Sequence, residues 1–110
     1  MDYKRFEKME MIETEHGFLA WRRGTAENIE IFDIYARPHR QGYGTELVRL
    51  LVEKFLKTPD KIIFGFTVET NTDAQAFYQA IGFNLIHGMG RHCLFWQRVK
   101  QLYETIKDRK

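Results

Sequence analysis

The run Ala36-Arg37-Pro38-His39-Arg40-Gln41-Gly42-Tyr43-Gly44-Thr45 constrains this chain more than any other stretch. It joins an apolar, strand-like segment to an amphipathic, helix-like one. A strand that turns through glycines into a helix aims several backbone N–H groups, and the positive end of the helix, at one point. Anions, phosphates above all, are attracted to such a point. Arg37 and Arg40, with His39 between them, place further positive charge beside it. Two familiar phosphate patterns are absent: there is no Gly-Lys-Ser/Thr as in nucleoside-triphosphate loops, and no third glycine after Gly44 as in the dinucleotide fingerprint. Taken alone, Gly42 and Gly44 fit a structural turn at least as well as a ligand site.

At 110 residues, the chain is expected to form one domain, residues 1–110, large enough to bury its own core. Hydrophobic residues make up 44% and aromatics 15%, with charges mixed along the chain, which is the profile of a folded protein rather than a disordered one. A net charge of +2 gives no case for nucleic acid, despite Arg22, Arg23, Arg37, Arg40 and a basic tail. The single cysteine, Cys93, excludes an internal disulfide and fits a reducing compartment. The start, Met1-Asp2-Tyr3-Lys4-Arg5-Phe6, lacks an apolar signal core, and no apolar run is long enough to span a bilayer. A cytoplasmic location without membrane contact is expected.

Residues 1–14 are charged and weakly periodic. Residues 17–23 and 28–36 read as strands separated by a turn at 23–26. Alternation breaks in the second: Ile29 and Ile31 share one parity, Phe32 and Ile34 the other. Either a strand covered on both faces or a bulge would do this. Leu47, Leu50, Leu51 and Phe55 form one stripe of a helix over 45–57. A central strand follows at 61–68, then Asn71 as N-cap of a helix over 74–81 closed by Gly82. Strands at 83–86 and 92–99, with a turn at Gly88-Met89-Gly90, and a helix over 99–110 complete the chain. The order β-β-α-β-α-β-β-α gives an α/β (α+β) fold: a mixed sheet flanked by helices, with a parallel crossover over residues 29–68.

About thirty residues after the glycine turn, a second pattern appears: Asn71-x-x-Ala74-x-x-Phe77-Tyr78-x-x-x-Gly82-Phe83. Together with the strand and turn over Ile34 to Gly44, it resembles the GNAT (Gcn5-related N-acetyltransferase) family, over residues 17–97. Three positions depart from the family pattern. His39 stands where Arg or Gln is usual, Ala36 where Pro is frequent, and Pro38 is displaced by two positions. The resemblance is to a short form, with only residues 1–16 in place of the family's N-terminal strand and two helices. It implies central strands splayed at an acyl-CoA site and direct transfer of acetyl from acetyl-CoA to a primary amine.

On that resemblance, unpaired backbone of Ile34, Tyr35 and Ala36 would pair with the pantetheine arm of coenzyme A and polarise the thioester carbonyl. His39, Arg40 and the amides of Gln41, Gly42, Tyr43, Gly44 and Thr45 would hold the pyrophosphate. Asn71, Ala74, Phe77 and Tyr78 would line the cofactor. Tyr78 corresponds to the family's usual general acid, which protonates the departing thiolate; by spacing alone it serves equally as core packing. Glu69 and Asp33 are candidate bases for the attacking amine, Glu30 a weaker one, and a water chain is a further option. No metal is expected: His16, His87, His92 and Cys93 lack ligand spacing along the chain, and Cys93 reads as a buried strand residue. Trp21, Trp96, Phe95 and Phe18 read as core and sheet-face aromatics. The expected partner is an amine-bearing acceptor, small molecule or protein, with a homodimer possible. The competing reading is a non-catalytic, CoA-binding or regulatory module on a reduced scaffold of the same kind.

Overall fold

The computed structural model describes residues 9–38 and 42–108. Among them the chain opens with a hairpin of β1 (Glu10–Thr14) and β2 (Gly17–Arg23), followed by β3 (Ile29–Ala36), antiparallel to β2. Helix α1 (Tyr43–Lys54) carries the chain over to β4 (Ile62–Val68), which pairs with β3 in parallel. Helix α2 (Thr72–Ala80) leads to β5 (Asn84–Met89). β6 (His92–Arg98) returns antiparallel to both β5 and β4, and α3 (Val99–Ile106) ends the described chain. The sheet order is β1-β2-β3-β4-β6-β5.

The expected element order holds, with one addition. Residues 10–14 form a strand where the sequence suggests only a charged stretch. In Glu10-Met11-Ile12-Glu13-Thr14 only Ile12 is buried, so alternation had a single core residue to reveal it. At the other edge, Met89 belongs to β5 although glycines flank it, because it pairs with His92 across the hairpin.

All three helices pack on one face of the sheet. Leu47, Val48, Leu51 and Val52 of α1, Tyr78 of α2, and Val99, Leu102 and Ile106 of α3 are buried in one cluster with Ile12, Leu19, Trp21, Ile29, Ile31, Ile63 and Phe95 of the strands. Strand residues of the opposite parity point away from the helices. There Phe18, Phe64, Leu94 and Trp96 are half-buried, while Phe66, Val68 and Ile86 are exposed.

The broken alternation of β3 is a bulge. Trp21 pairs with Ile31 and Ala20 with Asp33, leaving Phe32 as the extra residue. Phe32 lies under the Arg22 guanidinium, which also pairs with Glu30 on the helix-free face. At the start of the parallel pair, the Asn28 side-chain carbonyl accepts from the Ile62 N–H at 3.0 Å and the Lys61 ammonium donates to the Ala26 carbonyl at 2.9 Å. These bonds clamp β3 and β4 together at that end. No described helix is long and apolar enough to cross a membrane.

Candidate functional site

Parallel pairing between β3 and β4 stops after Ile29↔Ile63, Glu30↔Phe64 and Ile31↔Gly65. Both strands continue, β3 to Ala36 and β4 to Val68, without pairing to each other. The bulge at Phe32 falls immediately beyond the last pair, and bulges bend the strand that carries them. Backbone groups of β3 that would have faced β4 are therefore left open along Ile34 to Ala36, at the C-terminal ends of two parallel strands. Openings of this kind are where α/β sheets bind ligands.

Gly65 marks the divergence because no side chain fits there. A Cβ on Gly65 would meet the Phe95 ring at 2.3 Å and the Ile31 carbonyl at 2.8 Å. Phe95 in turn carries Tyr78, whose ring stacks on it with centroids 3.7 Å apart and planes 9° from parallel. Phe83 and Phe77 close on Tyr78 edge-on. Tyr78 is therefore a core residue: it is buried, and its packing against Phe95 holds it near the point where β3 and β4 part. Its phenol is pushed well above the ordinary tyrosine range, first by burial and second by the negative charge of Asp33. Asp33 pairs with Ala20 and is exposed on the helix-free face of β3, so its charge acts on Tyr78 from the other side of the sheet.

Glu69 lies just past the end of β4, with its carboxylate turned toward β5 and β6. Its carboxylate pairs with His87 Nδ1 of β5 and faces Cys93 of β6. Glu30 is held by Arg22 on the helix-free face. Asn71 caps α2, its side-chain oxygen accepting from the Ala74 N–H at 3.1 Å. Ile34 is half-buried opposite Leu19, Tyr35 is exposed and stacks with Phe18, and Ala36 pairs with Gly17.

Gly42 sits at the N-cap of α1 with φ +80, a left-handed conformation natural to glycine, and offers no side chain to cap the helix. The N–H groups of the first turn, at Tyr43, Gly44 and Thr45, are left to other acceptors. Gly44 lies against Phe77: a Cβ there would come within 3.1 Å of the ring. The start of α1 is thereby held close to α2. His16 stacks on Tyr43 with centroids 3.6 Å apart, and the Arg37 guanidinium lies over the Tyr35 ring. His39, Arg40 and Gln41 lie outside the described residues.

Gln75 is a contributor that the sequence reading missed. Buried, it donates from its side-chain amide to the Val68 and Glu69 carbonyls at 3.3 and 2.8 Å, binding the end of β4 to α2 one helical turn before Tyr78. A glutamine inside a helix carries no periodic or motif signal, so only its contacts reveal this.

The model of the acetyltransferase (GNAT) family matches residues 11–83. The chain belongs to the GNAT family. A search of curated proteins finds no match. Among solved structures, a Bacillus subtilis acetyltransferase in complex with CoA superimposes with a TM-score of 0.68 at 18% identity, covering 86% of this chain and 80% of that one. The PaiA N-acetyltransferase of Thermoplasma acidophilum in complex with coenzyme A gives 0.63 at 21% identity, covering 76% and 53%. A GNAT-family protein from Desulfovibrio desulfuricans gives 0.63 at 20%, covering 80% and 65%. The chain thus spans about half to two thirds of the length of the last two.

Proposed function

We propose that this chain transfers an acetyl group from acetyl-CoA to a primary amine by direct attack, in the opening between β3 and β4. The observation that carries the reading is Tyr78, buried and stacked on Phe95 at the divergence of the two strands. The uncapped N–H groups at Tyr43, Gly44 and Thr45 suit the pyrophosphate, and the open backbone from Ile34 to Ala36 suits the pantetheine arm.

The amine nitrogen attacks the thioester carbonyl, and a β3 N–H facing the opening stabilises the oxyanion that forms. Collapse of that intermediate breaks the carbon–sulfur bond, and the Tyr78 O–H gives its proton to the departing thiolate. Burial and the Asp33 charge both keep the phenol protonated, so the acid form is present throughout the neutral range. Asp33 takes the proton lost by the amine, directly or through water. Its charge acts on the Tyr78 phenol, which favours it over Glu69, whose carboxylate faces His87 and Cys93.

The test combines calorimetric titration with acetyl-CoA and a free-thiol assay over a panel of amines. Binding at micromolar concentration that is lost in Gly42→Glu, with thiol release falling by about 10²-fold or more in Tyr78→Phe, is the expected result. Absence of acetyl-CoA binding would overturn the reading. Binding with no thiol release for any amine would favour a CoA-binding module instead.

A further inference from the structure

At the C-terminal end of β4, on the side of β6, three side chains converge. Glu69 follows β4, His87 lies on β5 and Cys93 on β6, and one ligand atom of each lies within 4.8 Å of the other two. They form a carboxylate, an imidazole and a thiol, far apart in sequence and joined only by the strand pairing.

Three observations suggest that the cluster is built for something more than packing. The pairing of β5 with β6 slips by one residue between Ile86 and Met89, so that His87 and Gly88 together face Cys93. The bulge sits at His87, which shares a face with Cys93, and bulges are common beside sites. Second, Glu69 Oε2 is buried with no hydrogen-bond partner among the described residues, although Oε1 is paired with His87. Third, Thr67 pairs with Cys93 across β4 and β6, and its hydroxyl is also buried without such a partner. Unsatisfied buried oxygens cost stability unless something fills the space between them.

We propose that Glu69, His87 and Cys93 form a binding site for one divalent transition-metal ion of the zinc class. A thiol sulfur with an imidazole and a carboxylate is a donor set that zinc accepts and that magnesium and calcium do not. Zinc–ligand distances of about 2.0–2.3 Å place neighbouring donors roughly 3.3–3.8 Å apart in a tetrahedron. The widest spacing needs to contract by about 1 Å, and the Glu69–His87 pair, now in hydrogen-bond contact, needs to open to admit the ion. The exposed His87 side chain can supply both by rotating. On binding, the Cys93 thiol releases its proton to solvent, His87 ligates as neutral imidazole, and the carboxylate and thiolate charges balance the cation. The fourth position is open to a water, and the Thr67 hydroxyl stands beside Cys93 to pair with it. The ion would tie the edge strand β5 and its neighbour β6 to the end of β4, a structural role independent of acetyl transfer.

The test uses tag-free, full-length protein stripped with chelator. It is titrated with Zn(II) by calorimetry and with Co(II) by absorption, neither of which reads acetyl transfer. One equivalent should bind at micromolar concentration or tighter. The Co(II) form should show a near-ultraviolet thiolate-to-metal band that Cys93→Ser removes, and His87→Ala should weaken binding by about tenfold or more. His87 is exposed, so its variant decides the matter even if Cys93→Ser fails to fold. Co(II) binding without the thiolate band, Zn(II) affinity unchanged in His87→Ala, or no binding at 100-fold excess over the protein would each overturn the proposal.

Discussion

Along β6, Cys93 and Phe95 are sealed beneath the helices, while Leu94 and Trp96, one residue over, are only half-buried among the exposed Phe66, Val68 and Ile86. The same backbone therefore builds a core on one face and an aromatic surface on the other. Because the side-chain period of a strand is two, the parity of a residue decides its worth to stability more than its chemistry does. Phe95 and Phe66 carry the same ring. Phe95 is 1% exposed and supports Tyr78, whereas Phe66 is 46% exposed.

The contrast breaks most sharply at that pair. Phe95→Ala should cost about 3–5 kcal/mol in chemical denaturation, while Phe66→Ala should stay within about 0.5 kcal/mol. A loss at Phe66 as large as that at Phe95 would mean that its face is covered in solution. Next in size is Gly65→Ala, which forces a methyl against the Phe95 ring and the Ile31 carbonyl. About 1–3 kcal/mol of destabilisation is expected, together with weaker acetyl-CoA binding if the divergence shifts.

Tyr78 sharpens the comparison through pH. Its phenol titrates higher in the folded protein than in the unfolded chain, where the ordinary value of about 10 applies. Below that value both states hold the proton and stability is unaffected. Above it the unfolded chain loses the proton first, so stability should fall as pH rises, with a slope approaching about 1.4 kcal/mol per pH unit. Thermal melts from pH 9 upward should show this slope in the wild type and lose it in Tyr78→Phe. The smallest effect short of Phe66 belongs to Asn71→Ala, which removes the cap of α2 and should cost about 1 kcal/mol by the same denaturation assay.

Much of this architecture was legible in the sequence, for reasons that can be named. The Asn71 cap, the amphipathic stripe of Leu47 and Leu51, and the paired motifs of the family are local patterns, and local physics reads them. The parity break at Phe32 was visible, but choosing between a bulge and a two-sided strand required the pairing partner on β2. β1 was hidden because one buried residue makes no period. The neighbourhoods of Gln75 and Glu69 were not legible at all. They depend on which strand lies beside which, and β6 inserts between β4 and β5 against sequence order. For the same reason the separation of His87 and Cys93 along the chain argued against the proximity that pairing creates.

The three-pair ladder between β3 and β4 also has a mechanical meaning. A sheet that parts partway along its length behaves like a plate with a crack, and Gly65 is the crack tip. Ahead of the tip, the Asn28–Ile62 and Lys61–Ala26 bonds hold the two halves shut. Behind it, β1–β2–β3 and β4–β6–β5 each keep their own antiparallel ladder and are joined through the shared core beneath the helices. The backbone hydrogen bonds between the two halves are confined to that one short seam. A ligand that bridges the parted strands would lengthen that seam and fuse them into one.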